Sequence, residues 1–172
     1  MRFLFDKDIG FKSMIEWIDE TTDFFEGKPD HQLIIRCHPA EYILPGSMRE
    51  SVSNFIKNKY SSHKIPDNIK LIDPDNKISS YYLMDIANLG LVYASSAAIE
   101  LGIRGKPTIV AAEVHFRDKG FTIDVSNKEQ YFQELENLLR SKVNHMEIKR
   151  VARLYAYFAF FKVALDFSVV DY

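Results

Sequence analysis

The stretch Tyr93-Ala-Ser-Ser-Ala-Ala-Ile-Glu-Leu-Gly-Ile-Arg-Gly-Lys-Pro107 decides the fold, because it contains a strand end, a helix start and a helix stop. The run 90–94 is short, apolar and rich in β-branched and aromatic residues, which is typical of a strand covered on both faces of a sheet. Ser95 and Ser96 follow at the expected helix start, and Gly105 and then Pro107 end the helix. Similar strands and helices alternate along the chain. This alternation predicts an α/β fold with a Rossmann-like, open, mostly parallel sheet and helices on both faces.

Length and composition restrict the class of protein. A chain of 172 residues with 47% hydrophobic residues can bury one core, so we expect a single domain, 1–172. We divide it into a leading helix (1–29), an α/β core (30–140) and an aromatic C-terminal helix (141–172). The net charge of -2 gives no basic field, and no nucleic-acid partner is expected. A single cysteine and the lack of a long apolar run favour a cytoplasmic location.

Periodicity and turn residues place the other elements around this stretch. The predicted elements are a helix from Lys7 to Phe25, a strand at 33–35, a helix from Ser47 or Ser51 to Lys59, a strand at 69–72, a short helix from Ser79 or Ser80, strands at 90–94 and 108–111, an extended segment at 121–125, a helix at 126–139 with a Ser126–Glu129 capping box, and a last helix at 145–167.

Polar residues cluster where the predicted strands end, which is where open parallel sheets bind ligands. These residues are His38, Ser95, Ser96 and the loop around His115. Two hydroxyls at the start of a helix favour an anion, typically a phosphate, because the helix dipole and backbone N–H groups add to them. Glu100 lies one turn after Ser96, where its carboxylate could meet ribose hydroxyls. The alternative is that the serines only cap the helix and that Glu100 is solvated.

Other polar residues have more than one interpretation. Arg36 shares a strand face with His38 and could contact an anionic ligand or pair with an acidic neighbour. His115 and Lys119 could reach an acidic sugar from their loop, or could simply be solvated. Cys37 points to the opposite face from its neighbours, which indicates a core residue and not a catalytic Cys-His pair. The remaining histidines lack metal-ligand spacing, so no metal site is expected at His31, His63 or His145.

The order of these motifs resembles the C-terminal, nucleotide-binding half of the capsule polysaccharide biosynthesis family. The motifs are Arg36-x-His38-Pro39, Asp85-x-Ala-x-x-Gly90, Ser95-Ser96 with Glu100, Gly105-Lys-Pro107, and the element from Phe116 to Thr122. That family includes bacterial transferases of the sugar acid Kdo and belongs to the two-lobed GT-B glycosyltransferase architecture. The His-Pro and Ser-Ser pairs are also similar to those of CMP-sialic acid transferases and CDP-glycerol glycerophosphotransferases. The resemblance extends from about Phe3 to Phe132.

The resemblance implies a function and a set of site residues. His38, with Pro39, and the serines Ser95 and Ser96 would hold the phosphate of a cytidine nucleotide, and Glu100 would contact the ribose. His38 could also donate a proton to the departing phosphate, because its ordinary pKa lies near neutrality. The chain would then be the CMP-sugar (Kdo-like) binding domain of a glycosyltransferase for capsule or cell-surface polysaccharide. No cofactor beyond the nucleotide-sugar substrate is implied.

The same resemblance implies a missing part. A GT-B enzyme has an N-terminal lobe that binds the glycan or glycolipid acceptor, and nothing before Asp30 is long enough to form one. We therefore expect a fragment that binds nucleotide weakly and is inactive alone, working in the cytoplasm or at the inner face of the membrane. The aromatic stretch 154–161 is expected to pack on the missing lobe or to form a homodimer.

Two alternatives remain open at the level of sequence. A UDP-sugar 2-epimerase uses a similar fold, but would require acidic and histidine residues in a partner lobe. A non-catalytic α/β interaction module would use Ser95 and Ser96 only as a helix cap and the aromatic helix as its functional surface. Nucleotide binding distinguishes the transferase from the interaction module.

Overall fold

The computed structural model describes residues 9–39, 41, 51–140 and 144–162, which form short parallel strands flanked by helices. The α/β fold class predicted from the sequence is therefore confirmed. In chain order the elements are α1 (Met14–Glu26), β1 (Leu33–Arg36), α2 (Val52–Lys59), β2 (Ile69–Ile72), α3 (Ser80–Ile86), β3 (Gly90–Val92), α4 (Ala97–Ile103), β4 (Thr108–Val110), β5 (Ile123–Asp124), α5 (Lys128–Arg140), α6 (His145–Tyr157) and a π-helical turn (Phe158–Lys162).

The described strands form two sheets, each within one of two compact units. The N-terminal unit, Phe11–Leu83, contains β1 and β2, which pair in parallel with Leu33 opposite Ile69. The C-terminal unit contains the described residues from Met84 onward, together with residues 9 and 10. Its sheet has the order β3-β4-β5, and both pairings are parallel.

Helix α1 begins at Met14, later than the predicted start at Lys7, which lies outside the described residues. The later start has a local cause. The hydroxyl of Ser13 accepts a hydrogen bond from the backbone N–H of Glu16 at 3.1 Å, which caps the helix. Phe11 is buried although it precedes the helix. It therefore belongs to the segment before α1 and not to the apolar side of α1.

Helix α2 is tied to α1 by a lysine. Of the two predicted starts, Ser51 is the observed cap: its hydroxyl accepts from the N–H of Asn54, whereas position 47 lies outside the described residues. At the other end, Nζ of Lys59 donates to the Asp19 carboxylate at 2.5 Å and to the Thr22 hydroxyl at 2.9 Å. A basic residue in the last turn thus also links two helices of the N-terminal unit.

Close packing of small residues joins α4 to α6 in the C-terminal unit. A Cβ added at Gly102 would lie 2.8 Å from the Cβ of Ala152 and 2.9 Å from the Phe121 ring. Ala152 and Ala156 are buried on this side of α6. The helices can approach closely only because these residues are small, and the approach completes a core that also contains buried aliphatic and aromatic side chains from β3, β4 and the following loop.

Helix α5 begins at Lys128, two residues after the predicted Ser126 start. The side chain of Asn127 accepts a hydrogen bond from the N–H of Gln130 at 2.8 Å. In return, the side chain of Gln130 accepts from the N–H of Ser126 at 2.8 Å. The predicted Ser126–Glu129 capping box was therefore wrong: Asn127 supplies the capping oxygen, and Gln130 accepts from the N–H of Ser126, the residue before Asn127.

The last helix is α6 followed by the π-helical turn, and residues 163–167 of the predicted helix lie outside the described residues. The side chain of Asn144 caps α6 by accepting from the N–H of Glu147. Within the described ranges, no helix has the length and apolar character needed to cross a bilayer.

Candidate functional site

The sheet of the C-terminal unit brings several of the predicted site residues to one edge. Pairing of β3 with β4 continues past the strands themselves, since Ala111 N–H donates to the carbonyl of Val92 at 2.9 Å and Ala112 N–H to that of Tyr93 at 3.0 Å. The serine pair follows β3, and the segment 113–120 follows β4. Parallel strands end at the same edge of a sheet, so both segments lie at its carboxyl edge.

A glycine at the start of β3 allows α4 to pack against the strand. A Cβ at Gly90 would lie 2.5 Å from Cδ1 of Leu101 and 3.0 Å from the hydroxyl of Thr108. Leu101 and Ile99 are buried on the inner side of α4. Glycine is thus required by packing, and the short β3–α4 connection leaves Ser95 and Ser96 exposed at the edge.

The two serines have different roles. The hydroxyl of Ser95 accepts a hydrogen bond from the N–H of Ala97 at 3.2 Å, and its carbonyl accepts from Ala98. The carbonyl of Ser96 accepts from the N–H of Ile99 at 2.9 Å, but its hydroxyl makes no capping bond. The first three N–H groups of α4 already have protein acceptors, so a phosphate at this position would have to be bound mainly by the exposed Ser96 hydroxyl.

The end of α4 follows the predicted stop signal. Gly105 has φ +78°, the left-handed region, and a Cβ there would lie 2.7 Å from the carbonyl oxygen of His145. Its own carbonyl lies 2.8 Å from Nδ1 of His145. Nζ of Lys106 donates to the carbonyls of Asp85 and Ala87. The Gly-Lys-Pro motif therefore ties the helix end to two neighbouring segments.

Glu100 lies in the first turn of α4 and is partly buried. Its backbone carbonyl accepts a hydrogen bond from the guanidinium of Arg104 at 3.0 Å, and Arg104 also contacts the Asp85 carboxylate at 2.9 Å. The helix places Glu100 one turn after Ser96, as the sequence predicts.

His115 is engaged by a residue that the sequence analysis did not identify. Its Nδ1 lies 2.8 Å from the hydroxyl of Tyr155, and the two rings stack with centroids 6.3 Å apart. Burial raises the pKa of Tyr155. The sequence signal for this tyrosine is its place in the aromatic stretch 154–161, which does not indicate His115 as its partner. Lys119, the other candidate in the loop, is exposed.

In the N-terminal unit, Arg36 has a structural role. Its guanidinium donates to the backbone carbonyls of Asp73 at 2.6 Å and Asn76 at 3.1 Å, in the turn that follows β2. The sequence offered an anionic ligand or an ion pair as its partner, but the observed partners are main-chain carbonyls, including that of an acidic residue. Arg36 therefore holds the turn in place.

His38 and Pro39 directly follow β1 and are exposed. The carbonyl of His38 accepts a hydrogen bond from the N–H of Glu41 at 3.0 Å, which begins a turn. Cys37 beside them is only 1% exposed, so the prediction of a core residue is confirmed. Burial, with the nearby carboxylates of Glu41 and Asp73, raises the pKa of the Cys37 thiol to about 12.

A second polar group in the N-terminal unit surrounds Asp73. Its carboxylate accepts from the hydroxyl of Ser53 at 2.6 Å and from Nζ of Lys57 at 2.7 Å. The bond from Lys57, and then that from Ser53, lowers the pKa of Asp73. These bonds connect the residue after β2 to α2, so the Asp73 carboxylate has partners within the N-terminal unit.

Within the described ranges, no cluster of three or more His, Cys, Asp or Glu side chains could hold a metal ion. Comparison with protein-family models and with curated proteins finds no match to the chain.

Proposed function

We propose that this chain is the donor-binding domain of a glycosyltransferase that uses a CMP-activated sugar acid of the Kdo type. The acceptor would be a glycan or glycolipid in the synthesis of a bacterial capsule or cell-surface polysaccharide, bound by a separate N-terminal lobe. The isolated domain binds nucleotide and is inactive alone. It works in the cytoplasm, at the inner face of the membrane where a glycolipid acceptor is accessible.

The observation that supports this proposal most is the Ser96 hydroxyl. It is exposed at the carboxyl edge of a parallel sheet, at the position where α/β folds bind ligands, and it makes no capping bond. An exposed hydroxyl that makes no capping bond can donate to a phosphate oxygen, which is a charge-assisted hydrogen bond. The positive end of α4 adds to its effect, although the helix is short.

The other residues take roles that follow from their positions. Glu100, one turn further along α4, accepts from the ribose hydroxyls. Lys119 and His115, in the loop after β4, contact the acid group of the sugar, and His115 is oriented by Tyr155. The resemblance assigns phosphate binding to His38 as well, so His38→Ala is a separate test.

Calorimetric titration of the chain with CMP tests the proposal. We expect CMP to bind, and Ser96→Ala to weaken the affinity about tenfold or more, because a hydrogen bond to a charged group is worth about 1.5–3 kcal/mol. His38→Ala is measured in the same way, as an independent test of its assignment. Ser95→Ala is measured as well, because the resemblance assigns phosphate binding to that hydroxyl too, whereas in the structure it accepts from the N–H of Ala97.

Two outcomes contradict the proposal. Absence of CMP binding would leave an interaction module as the better description, and CMP affinity unchanged in Ser96→Ala would remove the phosphate site from the start of α4. Titration with UDP separates the transferase from the epimerase alternative. Preference for UDP over CMP would favour the epimerase.

A further inference from the structure

The last helix exposes a cluster of large apolar side chains. We define the aromatic face as Leu154, Tyr157, Phe158, Phe160 and Phe161, all more than half exposed. The opposite side of the helix is buried through Ala152 and Ala156. Large exposed apolar surfaces of this kind mark contacts with partners or membranes.

The rings of the aromatic face pack on one another. Tyr157 and Phe161 stack with centroids 5.8 Å apart, and Nζ of Lys162 lies 5.6 Å from the centroid of the Tyr157 ring. The face begins in the last turn of α6 and continues into the π-helical turn Phe158–Lys162. Such turns are frequent at functional sites.

Basic residues flank this face. Segment 145–162 contains four Lys or Arg residues and one Glu, although the whole chain has a net charge of -2. Arg153 directly precedes the aromatic face and Lys162 directly follows it, and both are exposed. Arg150, one turn before Arg153, pairs with Glu147 at 2.6 Å. The segment is thus a local positive region on an acidic chain.

We infer that the aromatic face binds the surface of an anionic phospholipid bilayer, in place of the separate lobe or second copy that the sequence predicted as its partner. Aromatic rings at the membrane–water boundary insert between headgroups, and Lys and Arg beside them attract anionic lipid. The helix would lie in the plane of the interface with its alanine side on the protein. This inference rests on the aromatic face and its charges and does not depend on nucleotide binding.

The charges favour a bilayer over a second copy of the chain. In a symmetric dimer the same surface faces itself, so the cations Arg153 and Lys162 of one copy would face the cations of the other. Like charges at a contact weaken it. An anionic surface instead gains from both cations, and it can accept all the rings at once.

Co-sedimentation of the full chain with vesicles tests the inference. We expect binding to vesicles of phosphatidylcholine mixed with phosphatidylglycerol, little binding to phosphatidylcholine alone, and a decrease with added salt. The double variant Phe160→Ser with Phe161→Ser should weaken binding at least about tenfold, since two rings no longer insert. Arg153→Gln should weaken it about fivefold.

Matched variants exist elsewhere on the chain. Tyr81 and Tyr82 on α3 are also aromatic and more than half exposed, so Tyr81→Ser with Tyr82→Ser should leave vesicle binding unchanged. Lys64→Gln removes an exposed cation near Asp67 and should also have no effect. Circular dichroism checks that every variant is folded, which is expected because all these side chains are exposed.

Three results would overturn the inference. The first is equal binding to neutral and anionic vesicles, or none to either. The second is an equal loss of binding in the Tyr81/Tyr82 control. The third is self-association in sedimentation velocity that the Phe160/Phe161 variant abolishes while vesicles are not bound, which would assign the face to a second copy. CMP titration of the Phe160/Phe161 variant should match that of the wild type, which separates this test from that of the proposed function.

Discussion

The ends of β1 and β3 look similar in sequence, since each strand is followed by polar residues that suggest a binding site, but they differ in how those residues are used. At the end of β1, the Arg36 guanidinium donates to two carbonyls, and Cys37, the next residue, is buried. After β3, the Ser95 hydroxyl accepts from the N–H of Ala97, and Ser96, the N-cap residue of α4, makes no side-chain capping bond. The two strand ends belong to different units, β1 to the N-terminal unit and β3 to the C-terminal unit.

The difference teaches that a polar residue at a strand end indicates a site only after its internal hydrogen bonds are known. Burying a polar group without a partner is costly, so folds often recruit such residues to hold loops and turns. Arg36 is an example. A hydroxyl that remains exposed and outside the capping pattern, as at Ser96, is the better candidate for a ligand.

The largest expected effect concerns the Cys37 thiol. Its pKa is raised from the ordinary 9.0 to about 12, so the reactive thiolate fraction near neutral pH should fall about a thousandfold. Alkylation by iodoacetamide should therefore be slower by about that factor in the folded chain than in urea. A folded-chain rate close to the unfolded one would show that this strand end is open to solvent.

Replacing Arg36 should destabilise the fold. Arg36→Met leaves the carbonyls of Asp73 and Asn76 without their donor, which should cost about 2–3 kcal/mol of unfolding free energy. Urea denaturation measures it. The control is Arg140→Met, where the side chain is exposed and pairs with Glu136 one turn away, and the expected loss is below about 0.5 kcal/mol. Equal losses would argue against a structural role for Arg36.

Replacing Ser95 should have an intermediate effect. Ser95→Ala removes the acceptor for the N–H of Ala97 and should cost about 1 kcal/mol, the usual net value of an intramolecular hydrogen bond. Thermal unfolding followed by circular dichroism measures the change. Rescue by Ser95→Asn, which restores a capping oxygen, would support the interpretation, and full stability in Ser95→Ala would contradict it.

Replacing Asp73 should have a still smaller effect on the unfolding free energy, and this effect should depend on pH. Its folded pKa lies below the ordinary 3.8, so the stabilisation is complete above about pH 4 and is lost as the pH falls through the folded pKa. Because Asp73 is partly exposed, Asp73→Asn should remove only about 0.5 kcal/mol at neutral pH and flatten the acid limb of the stability curve. Asp75→Asn is the control, and an unchanged acid limb in Asp73→Asn would show that another group produces it.

Local signals in the sequence predicted the elements well where backbone chemistry alone decides. Such signals predicted Ser51 as one of two possible caps, Gly105 as a stop and the parallel strands around the serine pair. The start of α5 was wrong because Asn127, one residue after the predicted cap Ser126, supplies the capping oxygen, and Gln130 in place of Glu129 accepts a backbone N–H.

Tertiary contacts were beyond the reach of the sequence. No local pattern shows that Arg36 donates to the turn after β2, or that Tyr155 meets His115, since both contacts join residues about forty positions apart. The close approach at Gly102 is of the same kind, because it depends on Ala152 from a distant helix. The candidate site was thus predictable as a set of residue types, but not in its internal bonds.

The smallest expected change completes the comparison of the two serines. Ser96→Ala should alter the unfolding free energy by less than about 0.5 kcal/mol, because its exposed hydroxyl makes no capping bond and the backbone bonds of α4 do not depend on it. The same thermal unfolding experiment as for Ser95→Ala measures it, so the two neighbours are compared under one condition. A loss as large as that of Ser95→Ala would show that the fold itself uses this hydroxyl, and a phosphate would then have to break an existing bond to reach it. A neutral effect on stability combined with a loss of CMP affinity is the pattern expected of a ligand-binding group.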